Sequence, residues 1–267
     1  MENPNVLRFT GFADIYDQYR PKPPDIIADL LLQLAGMDRA EHVVDLGCGT
    51  GLSTLIWINR TNSLTGIEPS ADMRAVASQR PEWTGFTPRP QLVSGEAHQT
   101  GLTSASADII TASQSFHWMD PIPTLAEIAR VLRPGGVFAA YDCDWPPVSD
   151  PVADDAFARC HSHADELLRQ SGTSKAKAWP KDQHLDQIKN SGHFRYTRDL
   201  ASLHTDLGDA ERLVGLVRSQ GSIATLLKHG YTEAEIGLPQ LRDTVRQILG
   251  DRTIRWFWCY RIRIGIK

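Results

Sequence analysis

The amino-acid sequence predicts an α/β fold built around a largely parallel sheet. Five short apolar runs between residues 42 and 142 alternate with amphipathic segments of about 10 to 12 residues. Such alternation is typical of right-handed strand–helix–strand crossovers, which place parallel strands side by side. The last segment, TIRWFWCYRIRIGIK, alternates apolar and polar residues with the period of a strand.

The elements of the first half follow one another in a regular order. A helix is predicted over PPDIIADLLLQLAG, with Pro24 in its first turn and Gly36 as its C-terminal cap. Three further helices are predicted in GLSTLIWINR, SADMRAVASQ and PTLAEIARVL. The five strands are predicted in HVVDLG, SLTGIE, PQLVSGEA, ADIITAS and GGVFAAYD.

This regular alternation ends at residue 145. The proline-rich connector DWPPVSDP leads into predicted helices at about 151–170 and 181–190, and HFRYTRDLASLHTD is predicted as one long or bent strand. Helices are also predicted at about 209–218, 221–229 and 232–249, the last beginning with a capping box formed by Thr232 and Glu235.

Composition and charge argue against several classes of protein. Hydrophobic residues make up 41% and charged residues 22% of the 267 residues, as is ordinary for a soluble globular protein. A net charge of −4 and a pI near 6.1 lack the excess of basic residues that is typical of nucleic-acid-binding proteins. No apolar run is long enough to span a membrane. The four cysteines lack metal or disulfide spacing, and the N-terminus lacks the apolar stretch of a signal peptide. We expect a cytoplasmic protein without nucleic-acid or membrane partners.

The stretch CHSHAD at 160–165 resembles a metal site in composition alone. On a helix, His161 and His163 point in different directions, so they do not easily share one metal. His161 and Asp165 share a face but supply two ligands, which is too few. We therefore predict no metal.

The turn after the first strand, VVDLGCGTG, is the most informative stretch of the sequence. Glycines at 47, 49 and 51 indicate a backbone turn that comes close to a ligand. A dinucleotide fingerprint would have its third glycine at position 52, where this chain has Leu52. Asp45 suits a cationic ligand group, and Glu68, about 20 residues past the turn, can accept hydrogen bonds from both hydroxyls of a ribose. The pattern favours a nucleoside with a cationic group over a dinucleotide.

Five stretches in this order carry a resemblance to a known family: YDQYRP, VVDLGCGTG, GIEPS, SQSFHWMD and LRPGG. They resemble the class I S-adenosylmethionine-dependent methyltransferases, and within them the small-molecule branch similar to trans-aconitate methyltransferase. The resemblance covers roughly residues 12–142. It implies a Rossmann-like seven-stranded sheet of order 3-2-1-4-5-7-6 with the last strand antiparallel, helices on both faces, and a helical lid insertion after strand five. It also implies S-adenosyl-L-methionine as cofactor and S-adenosyl-L-homocysteine as product.

The resemblance assigns individual residues to the cofactor. Asp45, Gly47 and Gly49 would hold the methionine end, and Glu68 would hold the ribose hydroxyls. Met73 would pack on the adenine, and the adenine amino group would lie beside Glu96, where the family often has aspartate, and Ala97. Tyr16, Tyr19 and Arg20 would belong to a segment that closes over the cofactor. The complete set of predicted cofactor-binding residues is Tyr16, Tyr19, Arg20, Asp45, Gly47, Gly49, Glu68, Met73, Glu96, Ala97, Ser113 and Gln114, the last two lining the methyl-transfer site.

His117, just past the fourth strand, is the predicted catalytic residue. At neutral pH an imidazole can accept the proton of an O–H or N–H acceptor. The alternative is that His117 orients Trp118 or shapes the pocket, which suffices if the acceptor is an ionised carboxylate. Trp118, Asp142 and Trp145 are predicted to contact the acceptor. Residues 1–267 are predicted to form one methyltransferase domain, with an N-terminal cap segment at 1–37 and a lid and acceptor-recognition insertion at 145–200.

The leading hypothesis is therefore methyl transfer from S-adenosyl-L-methionine to oxygen, nitrogen or carbon of a small organic acceptor, by in-line displacement. Two alternatives stay open. One is a non-catalytic S-adenosylmethionine-binding protein with a regulatory or interaction role. The other is a nicotinamide-dependent oxidoreductase, which the absence of glycine at position 52 and the presence of Asp45 disfavour.

Overall fold

The computed structural model describes residues 4–8, 10–173 and 176–267. These residues divide into two compact units, each made of several segments. The sheet unit comprises 21–143, 178–202 and 260–267, and the helical unit comprises the described residues of 1–20, 144–177 and 203–259. The predicted insertion, 145–200, thus contributes residues to both units.

Seven strands form one sheet: β1 (Ala40–Leu46), β2 (Thr61–Ile67), β3 (Gln91–Val93), β4 (Ala107–Ser113), β5 (Leu132–Cys143), β6 (Tyr196–Gly208) and β7 (Ile254–Ile266). Their order is β3-β2-β1-β4-β5-β7-β6. Strands β1 to β5 pair in parallel, whereas β7 runs antiparallel to β5. The predicted order and the predicted antiparallel last strand are therefore confirmed.

The described residues also form helices α1 (Pro4–Leu7), α2 (Ala13–Tyr19), α3 (Ile26–Ala35), α4 (Ala71–Ser78), α5 (Pro121–Val131), α6 (Pro151–Ser171), α7 (His184–Asn190), α8 (Ala210–Arg218), α9 (Gly221–Lys228), α10 (Glu233–Ile236) and α11 (Leu238–Leu249). Short 3₁₀ turns occur at Thr54–Trp57, Pro81–Trp83, Phe116–Trp118 and Lys181–Gln183. Helices α3, α4, α5 and α7 belong to the sheet unit. Gly36 ends α3 in the left-handed conformation, with φ 70°, as predicted for a glycine cap.

The core of the sheet unit packs around β4, all seven residues of which are buried. Val44, Ile110 and Phe138, from β1, β4 and β5, belong to one apolar cluster with Leu125 and Ile128 of α5. Burying one such side chain contributes about 1.5–3 kcal/mol. The cluster holds the three neighbouring strands in register, and so sets where the loops after β1, β4 and β5 begin.

The prediction of a helix over GLSTLIWINR is wrong. The connection from β1 to β2 contains the 3₁₀ turn Thr54–Trp57 instead of an α-helix. We attribute the difference to tertiary hydrogen bonds, because the hydroxyls of Ser53 and Thr54 each donate to Oδ2 of Asp45 at 2.7 Å. Asn59, with φ 65°, then turns the chain toward β2. A turn this short has no long helix dipole.

In the helical unit, α6 packs against α8, α9 and α11. The helices predicted there are confirmed, except that the one predicted over 232–249 is divided in two. Gly237, with φ 88°, ends α10, and Pro239 lies in the first turn of α11. The capping box of Thr232 and Glu235 is confirmed at the start of α10. Among the described residues, no helix has both the length and the hydropathy of a membrane span.

Candidate cofactor and acceptor site

The glycine turn, Gly47–Gly51, follows β1 at the carboxyl edge of the sheet. Gly47, Gly49 and Gly51 have φ values of 64°, 56° and 86°, a left-handed conformation that residues with a Cβ rarely adopt. A Cβ at Gly47 would lie 2.7 Å from Cβ of Ser115. A Cβ at Gly49 would have none of the described residues within 4 Å. Gly47 is therefore needed for packing, and Gly49 faces open space that a ligand can occupy.

Asp45 lies at the end of β1 and is completely buried. Its carboxylate accepts hydrogen bonds from three hydroxyls: Ser53 at 2.7 Å, Thr54 at 2.7 Å and Thr111 at 2.9 Å. Burial raises the pKa of Asp45, and these hydrogen bonds oppose the shift. Asp45 therefore supports the glycine turn through side chains of the protein. Its predicted contact with the methionine end of a cofactor stays a prediction.

Glu68 follows β2 and contacts the glycine turn directly. Its Oε2 accepts from the N–H of Gly49 at 3.0 Å, and its Oε1 accepts from the N–H of Ser70 at 2.8 Å. Burial raises the pKa of Glu68, against the effect of these two backbone donors. The structure thus brings together two residues, Gly49 and Glu68, that the sequence assigned to different ends of one cofactor.

The predicted adenine contacts lie in the same unit but differ in exposure. Met73, in the first turn of α4, is buried, with 2% of its surface exposed. Ala97 is buried as well. The side chain of Glu96 is 43% exposed, and its carboxylate lies 3.3 Å from Nδ1 of His98. The roles of Met73, Glu96 and Ala97 toward adenine stay predictions.

The end of β4 carries a strained residue. Ser113 is buried at the last position of the strand, and Gln114 follows it with φ 53°. A left-handed conformation in a residue other than glycine costs about 1–3 kcal/mol and is concentrated at functional sites. The side chain of Gln114 donates to Sγ of Cys143 at 2.7 Å and accepts from Nζ of Lys181 at 3.3 Å. The amide is thereby held at the carboxyl edge of β4 and β5.

His117 lies in the 3₁₀ turn that follows, and only 9% of its surface is exposed. Its Nδ1 lies 3.5 Å from Oδ1 of Asp142, at the carboxyl end of β5. Its ring lies against that of Trp118, with centroids 4.7 Å apart, and its carbonyl accepts from the N–H of Trp179 at 2.8 Å. The structure therefore brings three predicted site residues, His117, Trp118 and Asp142, together.

Asp142 is the centre of a group of charged side chains, the Asp142 cluster, which consists of His117, Asp142, Lys181, His184 and Arg263. Nζ of Lys181 and a guanidinium nitrogen of Arg263 each lie 3.0 Å from its carboxylate, and Nδ1 of His184 lies 3.8 Å from it. Burial acts to raise the pKa of Asp142, but the hydrogen bond of His117 and the charge of Lys181 outweigh it, so this pKa lies well below its usual range. Burial lowers the pKa of His184 to about 4, so His184 is neutral at pH 7.

The sequence interpretation did not identify Lys181, His184 or Arg263 as site residues. Lys181 and His184 lie in and just after a 3₁₀ turn about 40 residues beyond Asp142, and Arg263 lies on the polar face of the last strand. The one available signal was the pair of arginines at 261 and 263 on the polar face of β7, since Arg261 pairs with Asp142 in the antiparallel register.

Four predicted site residues, Tyr16, Tyr19, Arg20 and Trp145, lie in the helical unit. The guanidinium of Arg20 lies 4.9 Å from the ring centroid of Tyr16 and 4.7 Å from that of Trp145. It also donates to the hydroxyl and the carbonyl of Ser219, each at 2.9 Å. Within this unit Arg20 ties the N-terminal segment to the end of α8. The contacts of these four residues with cofactor or acceptor stay predictions.

Among the residues that the structure describes, no group of three or more His, Cys, Asp or Glu side chains is arranged to hold a metal ion. Nδ1 of His161 lies 3.5 Å from the carboxylate of Asp165, one helical turn along α6. Nε2 of His163 instead bonds the carbonyl of Glu235 at 2.9 Å. The two histidines therefore have different partners, as their spacing predicts.

The sheet order and the glycine turn together define the class I methyltransferase fold. Residues 44–140 match the family model described as the methyltransferase domain. The resemblance inferred from the five motifs is thereby confirmed at the level of the class I methyltransferases. The likeness to the trans-aconitate branch stays a prediction.

Two proteins that are similar to about half of this chain are methyltransferases. The chain is 33% identical over 130 residues, 49% of each chain, to an uncharacterized methyltransferase of Mycobacterium tuberculosis. It is 32% identical over 130 residues, 48% of each chain, to a malonyl-[acyl-carrier protein] O-methyltransferase of Serratia marcescens. The chain thus spans about half the length of the curated relatives it matches.

Solved structures share the fold over most of the chain. A candidate type II methyltransferase from Anaeromyxobacter dehalogenans superposes with a TM-score of 0.67 at 23% identity, covering 93% of this chain and 98% of that one. The [4+2]-cyclase SpnF superposes with a TM-score of 0.53 at 17% identity, covering 99% and 93%. Similarity at this level shows the fold alone, and a methyltransferase and a cyclase that share it illustrate that one fold serves different reactions.

Proposed function

We propose that the protein is an S-adenosyl-L-methionine-dependent methyltransferase that transfers a methyl group to a small organic acceptor. The observation that carries the proposal is the hydrogen bond from the N–H of Gly49 to Glu68, with open space at Gly49. It places a carboxylate suited to ribose hydroxyls beside a turn suited to close approach of a ligand. The match of residues 44–140 to the methyltransferase domain supports the same reaction.

The residues of the sheet unit fit this cofactor. Gly49 admits close approach, Glu68 would accept hydrogen bonds from the ribose, and Met73 would pack on the adenine. When bound, S-adenosylmethionine supplies an activated methyl carbon, and the protein has to align the acceptor with it and exclude water. Gln114, held at the carboxyl edge of β4, would line that position. His117 would accept a proton from an acceptor O–H or N–H, and an acceptor that is already ionised would need no base.

A small acceptor is supported by charge and by the relatives. The net charge of −4 disfavours a nucleic-acid acceptor. One curated relative, which this chain matches over 48% of its length, is a malonyl-[acyl-carrier protein] O-methyltransferase, and this supports oxygen as the first accepting atom to test. Trp118 and Trp145 are the predicted apolar contacts of the acceptor. A cytoplasmic location stays a prediction.

Calorimetric titration tests which cofactor the protein binds. S-Adenosylmethionine and S-adenosylhomocysteine are expected to bind in the micromolar range, and NADH is expected not to bind, because the turn lacks the third dinucleotide glycine. Binding of NADH alone would contradict the proposal in favour of an oxidoreductase. Binding of the first two without methyl transfer to any of a panel of small alcohols, amines and carboxylic acids would support the non-catalytic alternative.

A pair of variants shows whether the titration reports the proposed site. Glu68→Gln is expected to weaken S-adenosylmethionine binding by about 1.5–3 kcal/mol, the usual value of a hydrogen bond to a charged group. Glu41→Gln is the matched control, because Glu41 is an exposed acid near the opposite end of the neighbouring strand β1. Equal affinities in both variants would show that Glu68 does not hold the cofactor.

A further inference from the structure

Two side-chain nitrogens lie close to one oxygen of Asp142. Nζ of Lys181 lies 3.0 Å from Oδ1, and Nδ1 of His117 lies 3.5 Å from the same atom. Arg263 and His184 face the other oxygen, Oδ2. Strong hydrogen bonds to a carboxylate have lengths of about 2.7–2.9 Å. Lys181 therefore holds Oδ1 more closely than His117 does in this arrangement.

A hydrogen bond between Nδ1 of His117 and Oδ1 of Asp142 would decide which imidazole nitrogen can act as a base. A neutral imidazole carries its proton on one nitrogen, and the hydrogen bond made by one nitrogen selects the tautomer. When Nδ1 donates to Asp142, Nε2 keeps the lone pair that could accept a proton from an acceptor. The backbone of His117 is held by the N–H of Trp179 at 2.8 Å, so the ring stays close to Asp142.

Lys181 is able to leave Oδ1, whereas Arg263 keeps the carboxylate neutralised. The side chain of Lys181 is 36% exposed, and its Nζ also donates to Oε1 of Gln114 at 3.3 Å. The side chain of Arg263 is 13% exposed and lies 3.0 Å from Oδ2. A movement of Lys181 toward Gln114 or solvent would therefore open Oδ1 to His117 without leaving Asp142 as a buried, unpaired charge.

We propose that Asp142 is a positioning residue that holds His117 in the Nδ1–H tautomer. Lys181 weakens the hydrogen bond between His117 and Asp142 because it competes for the same oxygen, Oδ1. The inference rests on the proposed function, because His117 is the base candidate of the same methyl transfer. It gives Asp142 a role other than direct contact with the acceptor. It also makes Lys181, which the sequence did not single out, the residue that tunes the base.

Nitrogen-15 NMR of the imidazole rings in the full chain tests the proposal without an acceptor. His117→Gln identifies the His117 signals among the nine histidines. Asp142→Asn is expected to lower the ratio of Nδ1–H to Nε2–H tautomer by about tenfold or more, the factor that corresponds to one hydrogen bond to a charged group. Lys181→Met is expected to raise the same ratio, because the competitor for Oδ1 is removed.

The two variants act in opposite directions, which a general disturbance of the cluster would not produce. Lys189→Met is the matched control, since Lys189 is an exposed lysine on α7 of the same unit, and it is expected to leave the ratio unchanged. An unchanged ratio in Asp142→Asn would overturn the role of Asp142. An unchanged or lower ratio in Lys181→Met would overturn the competition.

Asp142→Asn leaves two cations close to an uncharged side chain, so its fold is checked by circular dichroism. If it does not fold, the direction of change in Lys181→Met, on the more exposed side of the cluster, decides the proposal. Calorimetric binding of S-adenosylmethionine to the wild-type sample is measured alongside. Failure of that binding would contradict the proposed function, whereas an unmoved His117 tautomer with normal binding would contradict this inference alone.

Discussion

Gly47 and Gly49 lie two residues apart in the same backbone conformation but serve different purposes. Both have left-handed φ values, of 64° and 56°. The space at Gly47 is taken by Ser115, whereas the space at Gly49 is open among the described residues. Packing therefore requires the first glycine, and the ligand proposed for the turn requires the second. The difference is a property of the folded chain and has no counterpart in the motif GCG itself.

Alanine at each position separates these two roles. Gly47→Ala is expected to lower the free energy of unfolding by more than Gly49→Ala, because it adds a clash to the cost of about 1–2 kcal/mol for a left-handed residue with a Cβ. Gly49→Ala is expected to weaken S-adenosylmethionine binding at least about tenfold while the protein stays folded, since its Cβ enters the ligand space. Urea unfolding and calorimetry measure the two effects. Equal losses of stability, with unchanged binding in Gly49→Ala, would contradict this division.

At the scale of elements, helix α5 is tied to the chain before β4 by Glu127. Its carboxylate accepts from the N–H and hydroxyl of Thr100, at 2.9 Å and 2.6 Å, and from Nε of Arg130 at 2.7 Å. The hydrogen bond from Arg130 is the largest cause that lowers the pKa of Glu127, to about 2, against the opposing effect of burial. The ionised form of Glu127 is therefore the one that the folded state favours.

This shift predicts how stability depends on pH. The folded pKa lies below the unfolded value of about 4.3, so the contribution of Glu127 is present above pH 4.3 and is lost as the pH falls toward 2. Glu127→Gln is expected to lose about 2–3 kcal/mol of unfolding free energy at pH 7, and the difference from wild type is expected to shrink between about pH 4.3 and pH 2. Urea unfolding at pH 7, 5, 4 and 3 measures the difference. A constant difference would show that the charge of Glu127 contributes nothing.

On the scale of the whole molecule, the described chain consists of a sheet unit and a helical unit. The glycine turn, Glu68 and the Asp142 cluster all lie in the sheet unit. Cofactor binding should therefore be visible first as a stabilisation of the sheet unit. A ligand that binds the folded state alone stabilises it by mass action, in proportion to the logarithm of its concentration.

Thermal unfolding measures this stabilisation. At about 100 times its dissociation constant, S-adenosylmethionine is expected to add about 2.7 kcal/mol, which raises Tm by about 5–10 °C for a chain of this size. The same concentration of S-adenosylmethionine is expected to raise the Tm of Glu68→Gln by less, because a smaller fraction of the variant molecules has the ligand bound. NADH serves as the negative control. A shift of the same size in Glu68→Gln, or none in wild type, would contradict binding at the glycine turn.

Local patterns in the sequence determined most of the architecture. Period-2 and helical spacings located nearly all strands and helices. Gly36 marked the end of α3, and the capping box at Thr232 marked the start of α10. The five ordered motifs implied the sheet order through the family resemblance. These features were readable because each depends on neighbours within a few residues, or on a motif that the family resemblance supplies. The sequence also indicated Glu68 as a site residue, whereas its hydrogen bond with the N–H of Gly49 was seen only in the structure.

Only the tertiary structure decided what the buried charges do. Asp45 binds Ser53, Thr54 and Thr111 and thereby replaces the predicted helix with a 3₁₀ turn. The partners of Asp142 come from the 3₁₀ turn Lys181–Gln183, from α7 and from the last strand, so they follow from packing and strand register. A charge taken out of water must find partners wherever the fold brings them, and distance along the chain does not predict which ones arrive.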